Sequence, residues 1–410
     1  MIFFSIIILL FIYCCSAAPD FYLSLMLYGS QLAILPKSYL LSFFIPAFLA
    51  SQVAFFRISL KLNFRHVFLY LLFLVFSNVL NIDLINLNFY DFGISLLKNL
   101  LLFIFFSFTI SASLSFLKKS SRKYFFLPFM FLLAFSSLSS FLAILVYQSS
   151  AYTPLVQVER FTSSLDSEAF LNPFFIHPFG LVESLPFKSL FSRSTWFVLE
   201  PIHFSFYLFC LTAISLLVNS PYYIILSFIF LSIGLLASKS ITSLFSIFFI
   251  VSIYFNFKYF SAKISLLLSV LLFYLPQLFY FAFSSFLIYV FNLIGKSTNY
   301  QQKIFEYSSF YSFWPDFLFG NQSPTPISHN LSINLLVHLG FPISFVVSVS
   351  ICFFIFLIYR PLLTSDFAYI SLAIMITMVF IQLPSTLHPL FAFIFATLSS
   401  LSFLNSYHHD

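Results

Sequence analysis

A chain of 410 residues that is 61% hydrophobic and 7% charged is not an ordinary soluble protein, in which roughly a quarter of residues carry charge. Its mean hydropathy is +1.04, and apolar blocks recur at about 20 residues, the length of helix that crosses a bilayer core roughly 30 Å thick. A membrane barrel is excluded because its strands read as short alternating segments, and the net charge of +6 is spread along the chain in a way that does not suggest nucleic acid.

The expected fold is therefore all-α, a polytopic transmembrane helical bundle of about 12 (roughly 11–13) spans. Residues 1–147 form an N-terminal bundle, 148–194 a first long loop, 195–291 the central spans, 292–330 a second long loop and 331–410 the C-terminal spans. Met1–Ala18 lacks a basic leading region and reads as a first span rather than a removed signal. One or two spans follow over 21–56, broken near Pro36-Lys37, and Arg57, Lys61 and Arg65 make a first basic cluster. Spans are expected at 67–82 and 94–116, separated by the acidic loop Asp83–Asp91, with Lys98 placed to snorkel from one end. Lys118, Lys119, Arg122 and Lys123 precede the span 124–147.

The first long loop carries Glu159, Arg160, Asp166, Glu168, His177, Glu183 and Lys188. Its Asp166-Ser167-Glu168 run reads as solvated carboxylates rather than a metal pair. Spans then fall at 195–218, 221–238, 241–257 and 264–291, turned at Asn219-Ser220-Pro221, at Ser238-Lys239-Ser240 and between Lys258 and Lys263. After the second loop come 331–358, 367–384, a turn at Leu387-His388-Pro389 and a last span to about Leu404.

Orientation follows from charge. The loops 57–66, 118–123, 258–263 and 359–366 hold ten of the 18 Lys and Arg, and counting spans puts all four on one side, which the positive-inside rule makes cytoplasmic. Nine of the 12 acidic residues then lie on or near the opposite face, with both long loops. Lys239 and Arg193 stand there as well, against the charge rule, which suggests an anion that holds them.

Few residues remain to carry chemistry. Arg193 precedes the block 195–218 and is either a snorkelling anchor or a functional cation; Trp196, Glu200, Pro201 and His203 follow closely. Glu200 is expected about two turns into that block, where an unpaired carboxylate is costly. Lys239 in its tight turn reaches either lipid headgroups or a lipid diphosphate, which lysine binds as a point charge. His329-Asn330 enters a span; an imidazole with a pKa near about 6.5 is an interfacial anchor or a general base. His338 reads as an interhelical hydrogen-bonding group. Tyr300, Tyr307, Tyr311 and Trp314 are interfacial anchors or a stacking platform for sugar rings. The 67 Phe residues are expected mainly on the lipid-facing surface, and Cys14, Cys15, Cys210 and Cys352 read as small membrane hydrophobes. Phosphate-binding glycine loops, HExxH and CxxC pairs are absent from the sequence.

An Arg before a span with Glu-Pro downstream, a short Ser-rich turn, then a long outer loop with Phe319-Gly320 and His329-Asn330 entering a span resembles the O-antigen polymerase and O-antigen ligase superfamily, closest to the polymerases. The resemblance covers about residues 190–345. Two positions depart from the family pattern: its Ser-Arg turn reads Ser238-Lys239 here, and its loop arginine reads Lys303. What it implies is a GT-C-like fold and a metal-independent, cofactor-free glycosyltransferase of the bacterial inner membrane. Its active site faces the periplasm, and its substrate is an oligosaccharide carried on undecaprenyl diphosphate. It implies His329 as general base and Arg193 as catalytic cation, with Lys239, Lys303, Glu200, Asn330, Gly320 and Trp314 around the substrate. Implied partners are membrane lipids and a polysaccharide chain-length regulator. A ligase acting on lipid A core shares the same donor chemistry. A lipid-linked oligosaccharide flippase, a third reading, would have short outer loops and cations deep within its spans; the loops of about 45 and 38 residues favour an enzyme.

Overall fold

The computed structural model describes residues 64–78, 89–115, 126–148, 156–161, 167–172, 181–184, 193–194, 201–217, 220–282, 318–320, 331–381 and 389–406. The spans expected before Arg57 and the basic cluster at 118–123 lie outside the described residues. Ten α-helices are described: α1 (Phe64–Ser77), α2 (Phe89–Ser115), α3 (Leu127–Gln148), α4 (Pro201–Leu216), α5 (Pro221–Ser238), α6 (Ile241–Tyr259), α7 (Ala262–Ala282), α8 (Leu331–Tyr359), α9 (Asp366–Ile381) and α10 (Pro389–Ser406). Three segments, Leu127–Leu145, Pro221–Ser238 and Asn334–Leu362, are long and apolar enough to cross a membrane, and shorter apolar helices accompany them. Pro201, Pro221 and Pro389 each open a helix, where a fixed φ fits and no amide hydrogen is needed.

Helices α4 and α10 are buried throughout the residues whose side chains are described, and α9 is buried from Ser371 to Ile381, as expected of apolar helices at the centre of a bundle. Around them, α4 packs on α3, α5 and α9; α9 also packs on α6 and α8; and α10 packs on α2 and α8. The peripheral helices expose apolar stripes, Phe131, Phe135, Leu138, Leu142 and Leu145 on α3 and Phe245, Phe248, Phe255 and Tyr259 on α6. Surfaces of that kind suit contact with lipid or with another protein. Phenylalanines are not confined to them. Phe73 packs with its ring tilted at 4.7 Å from Phe395, while Phe103 stacks at 4.4 Å on Tyr70 and Phe273 at 4.6 Å on Phe380, all buried. Phe therefore fills the gaps between helices as well as the exposed apolar stripes. Cys210 and Cys352 are free and buried, as expected of small hydrophobes.

Polar contacts show which helix ends share a face. His66 at the start of α1 and Ser111 late in α2 meet Ser399 and Ser400 late in α10, at 2.8 and 3.1 Å. Lys258 in the last turn of α6 pairs with Asp366 at the first residue of α9 at 3.0 Å, each charge suiting its end of the helix dipole. Tyr359 and Ser371 share a 3.0 Å hydrogen bond, and Ser371 donates to the Ala213 carbonyl at 2.7 Å. At the other end Ser205, early in α4, donates to Ser238, the last residue of α5, at 3.1 Å. Successive helices thus alternate in direction. Lys258 and Arg360 stand at one end, and the 238–240 turn stands at the other.

The first long loop departs from an irregular chain. It contains an antiparallel meander of β1 (Val156–Phe161), β2 (Ser167–Asn172), β3 (Leu181–Ser184) and β4 (Arg193–Ser194), in the order β1-β2-β3-β4. Arg160 is in register with Glu168, and Arg193 with Val182. Valine, phenylalanine and leucine in runs of only four to six residues build β1 to β3, too short to stand out from the surrounding polar sequence, and β4 is two residues. The bundle itself is helical, as expected, with this sheet added to it.

Candidate functional site at the end opposite the basic turns

Strand β4 is the edge of the sheet that meets the bundle. It lies against α3, α4 and α5, and the Ser194 side chain is completely buried there. Because α4 begins and α5 ends at this level, the strand brings Arg193 to the end of the bundle that holds the turn after Ser238.

Lys239 caps α5. Its φ of 46° and ψ of 36° are left-handed, and its amide donates to the Leu235 carbonyl at 3.0 Å, a closure usually supplied by glycine. Among the described residues it is the non-glycine residue with positive φ. A side chain in that conformation costs about 1–2 kcal/mol, so the ammonium group is held where glycine would fit with less strain. The side chain is exposed, yet the bundle end beneath it removes enough water to pull its pKa below the ordinary lysine range. An anion bound beside it would raise the pKa again by favouring the charged form. Ser240 and Ile241 follow and begin α6, with the Ser243 amide donating to the Ser240 carbonyl at 3.1 Å.

The second expected element is the entrance to α8. Gly320, at φ 77°, lies against the backbone of His338 and Gly340, so glycine is required there by a close approach of two chain segments. Gly340 breaks α8 with φ 73° and ψ 165°, two residues before Pro342. Before the break, the half-helix is anchored by Ser332, whose hydroxyl donates to the Phe273 carbonyl of α7 at 3.3 Å. His338 is half-buried, its carbonyl toward Gly320.

Of the expected site residues, then, Arg193 and Lys239 are brought to one end of the bundle, and Gly320 is docked onto α8. His329, Asn330, Lys303, Trp314 and Glu200 lie outside the described residues, with Glu200 immediately preceding the first described residue of α4. Sequence reasoning missed Gly340, although a Gly-Phe-Pro run inside an apolar span was the available signal. It also missed the Ser205–Ser238 hydrogen bond, which has no local signature. No family profile, curated protein or solved structure matches the chain.

Proposed function

We propose that this protein is an O-antigen polymerase, a metal-independent glycosyltransferase that joins undecaprenyl-diphosphate-linked oligosaccharide repeat units at the periplasmic face of the inner membrane. The observation that carries the reading is the strained Lys239 turn at the bundle end shared with the Arg193 strand. Two cations at the end opposite the Lys258 and Arg360 turns suit a lipid diphosphate whose isoprenoid chain lies in the membrane. Outside the cytoplasm nucleotide sugars are not supplied, so the donor arrives already activated by that diphosphate.

In the proposed reaction an acceptor hydroxyl attacks the anomeric carbon of the donor. A new C–O bond forms, the bond from the anomeric carbon to the phosphate oxygen breaks, and undecaprenyl diphosphate leaves with the electron pair. The imidazole of His329 takes the hydroxyl proton, and Arg193, Lys239 and Lys303 hold the charge of the leaving group. Glu200, Asn330 and Trp314 complete the substrate surroundings in this reading.

The test is deletion of the gene followed by gel analysis of surface lipopolysaccharide. A ladder reduced to core plus one repeat supports the polymerase. Bare core with accumulating lipid-linked polymer assigns the ligase reaction instead, and an unchanged ladder refutes both. Complementation with His329→Ala should leave the protein inserted and the ladder collapsed; chains of wild-type length would remove His329 from the mechanism.

A further inference from the structure

Helix α8 is two helices, 331–339 and 341–359, joined at Gly340. That residue has a backbone conformation open essentially to glycine alone. A methyl group on Gly340 would run into the Leu318 carbonyl and stop 2.7 Å from the Phe319 nitrogen. A methyl group on Gly320 would run into the His338 carbonyl and stop 2.7 Å from the Gly340 nitrogen. Both obstacles are backbone, so neither can swing aside; the two segments would have to separate. By contrast, a methyl group on Gly93 would meet nothing within 4 Å.

The interlock has a mechanical consequence. Irregular backbone at membrane depth persists only where protein covers it, and Leu318–Gly320 is the cover at this break. The half-helix ahead of the break is nine residues long, about 13 Å at 1.5 Å per residue. Its pivot is Gly340 and its far end is Leu331, next to the Ser332 hydroxyl that holds it to the Phe273 carbonyl of α7, so its angle is fixed from both ends. About 5° of rotation at the pivot moves the tip by about 1 Å. Misplacement of a reacting group by that distance can cost about 100-fold in rate. His329 stands two residues before Leu331 in the sequence.

We propose that the Gly320–Gly340 interlock is the positioning element of the transferase: by bracing the second long loop against the break in α8, it sets the angle of the half-helix that leads to His329. Gly320 and Gly340 are positioning residues, acting through the half-helix. This role rests on the polymerase reading above, but the contact itself can be read without any activity.

Gly93→Ala, Gly320→Ala and Gly340→Ala are made in the full chain and assayed in membranes on a lipid-linked repeat unit. In parallel, Phe319→Cys and Leu339→Cys are paired in a protein cleared of its four native cysteines and treated with a short thiol cross-linker. The Gly320 and Gly340 variants should lose about 100-fold in kcat with KM changed less than about twofold, and Gly93→Ala should match the parent. The paired cysteines should cross-link in the parent background and fail to do so with Gly320→Ala. Cross-linking should leave the pair as active as its reduced form, a measurement that stands even if the alanine variants fail to accumulate. Retained kcat with the cross-link lost, or inactivation on cross-linking, would overturn the positioning role. Absence of the cross-link in the parent would overturn the contact. A parent that cross-links but never polymerises would refute the polymerase reading, and the positioning role with it.

Discussion

Replacing Lys239 by glycine separates two effects that most substitutions confound. The backbone at this position is left-handed, and relief of the side-chain strain should stabilise the α5–α6 turn by about 1 kcal/mol. The hydrogen bond from its amide to Leu235 is retained, because glycine donates it equally well. What disappears is the ammonium group. A charge-assisted hydrogen bond to a phosphate oxygen contributes about 1.5–3 kcal/mol, so kcat/KM for the lipid-linked donor should fall roughly 10- to 100-fold. The expected protein is therefore more resistant to unfolding in detergent and poorer at polymerisation. Lys239→Arg should keep the charge. The direction of the lysine pKa adds a second readout. Because desolvation lowers it, raising the pH should remove the charge earlier than for an ordinary lysine, and the donor KM should climb with pH. Lys239→Arg should abolish that climb, since guanidinium does not titrate there. Assays are thermal unfolding of the purified protein and turnover of a lipid-linked repeat across alkaline pH. A Lys239→Gly protein with kcat/KM within about twofold of wild type would refute the assignment of this cation to the diphosphate.

Arg193→Ala should abolish long chains on a lipopolysaccharide gel while leaving the protein in the membrane, and Arg193→Lys should restore only part, because the bidentate fork is lost; full activity of the alanine variant would remove Arg193 from the site. Cysteines placed at Ser163 and Ser309 should react with an impermeant thiol reagent added to spheroplasts, and one at exposed Thr364 only after permeabilisation; the reverse pattern would invert the proposed orientation. Ser371→Ala should destabilise the bundle by about 1–2 kcal/mol, since it removes the 2.7 Å bond to Ala213 and leaves the buried Tyr359 hydroxyl without Ser371. Unaltered unfolding in detergent would show that this node contributes nothing.

The places of the helices were legible in the sequence because a span is a composition over about 20 residues, and composition needs no knowledge of neighbours, although α2 begins at Phe89, inside the expected acidic loop Asp83–Asp91. The expected 221–238 block coincides with α5, and the expected 331–358 block ends one residue short of α8. The alternation of the helices was legible too, since charge in the loops and the parity of spans are both properties of a linear string; the Lys258–Asp366 pair joins the two ends that this counting put together. The sheet was not legible. Its strands are four to six residues or shorter, and what makes them strands is pairing across the intervening chain, as where Arg193 meets Val182.

The candidate site divides along the same line. Lys239, Arg193 and Gly320 could be named from residue type and order, because charges and glycines are scarce in so apolar a chain. Their settings could not. The left-handed cap at Lys239, the arrival of β4 at the end of α5 and the meeting of Gly320 with Gly340 depend on distances between segments far apart in sequence. Hydropathy is additive along a chain and tells which pieces are apolar enough to form long helices suited to a membrane. Close approach of backbone to backbone is not additive, and here the folded bundle alone determined it.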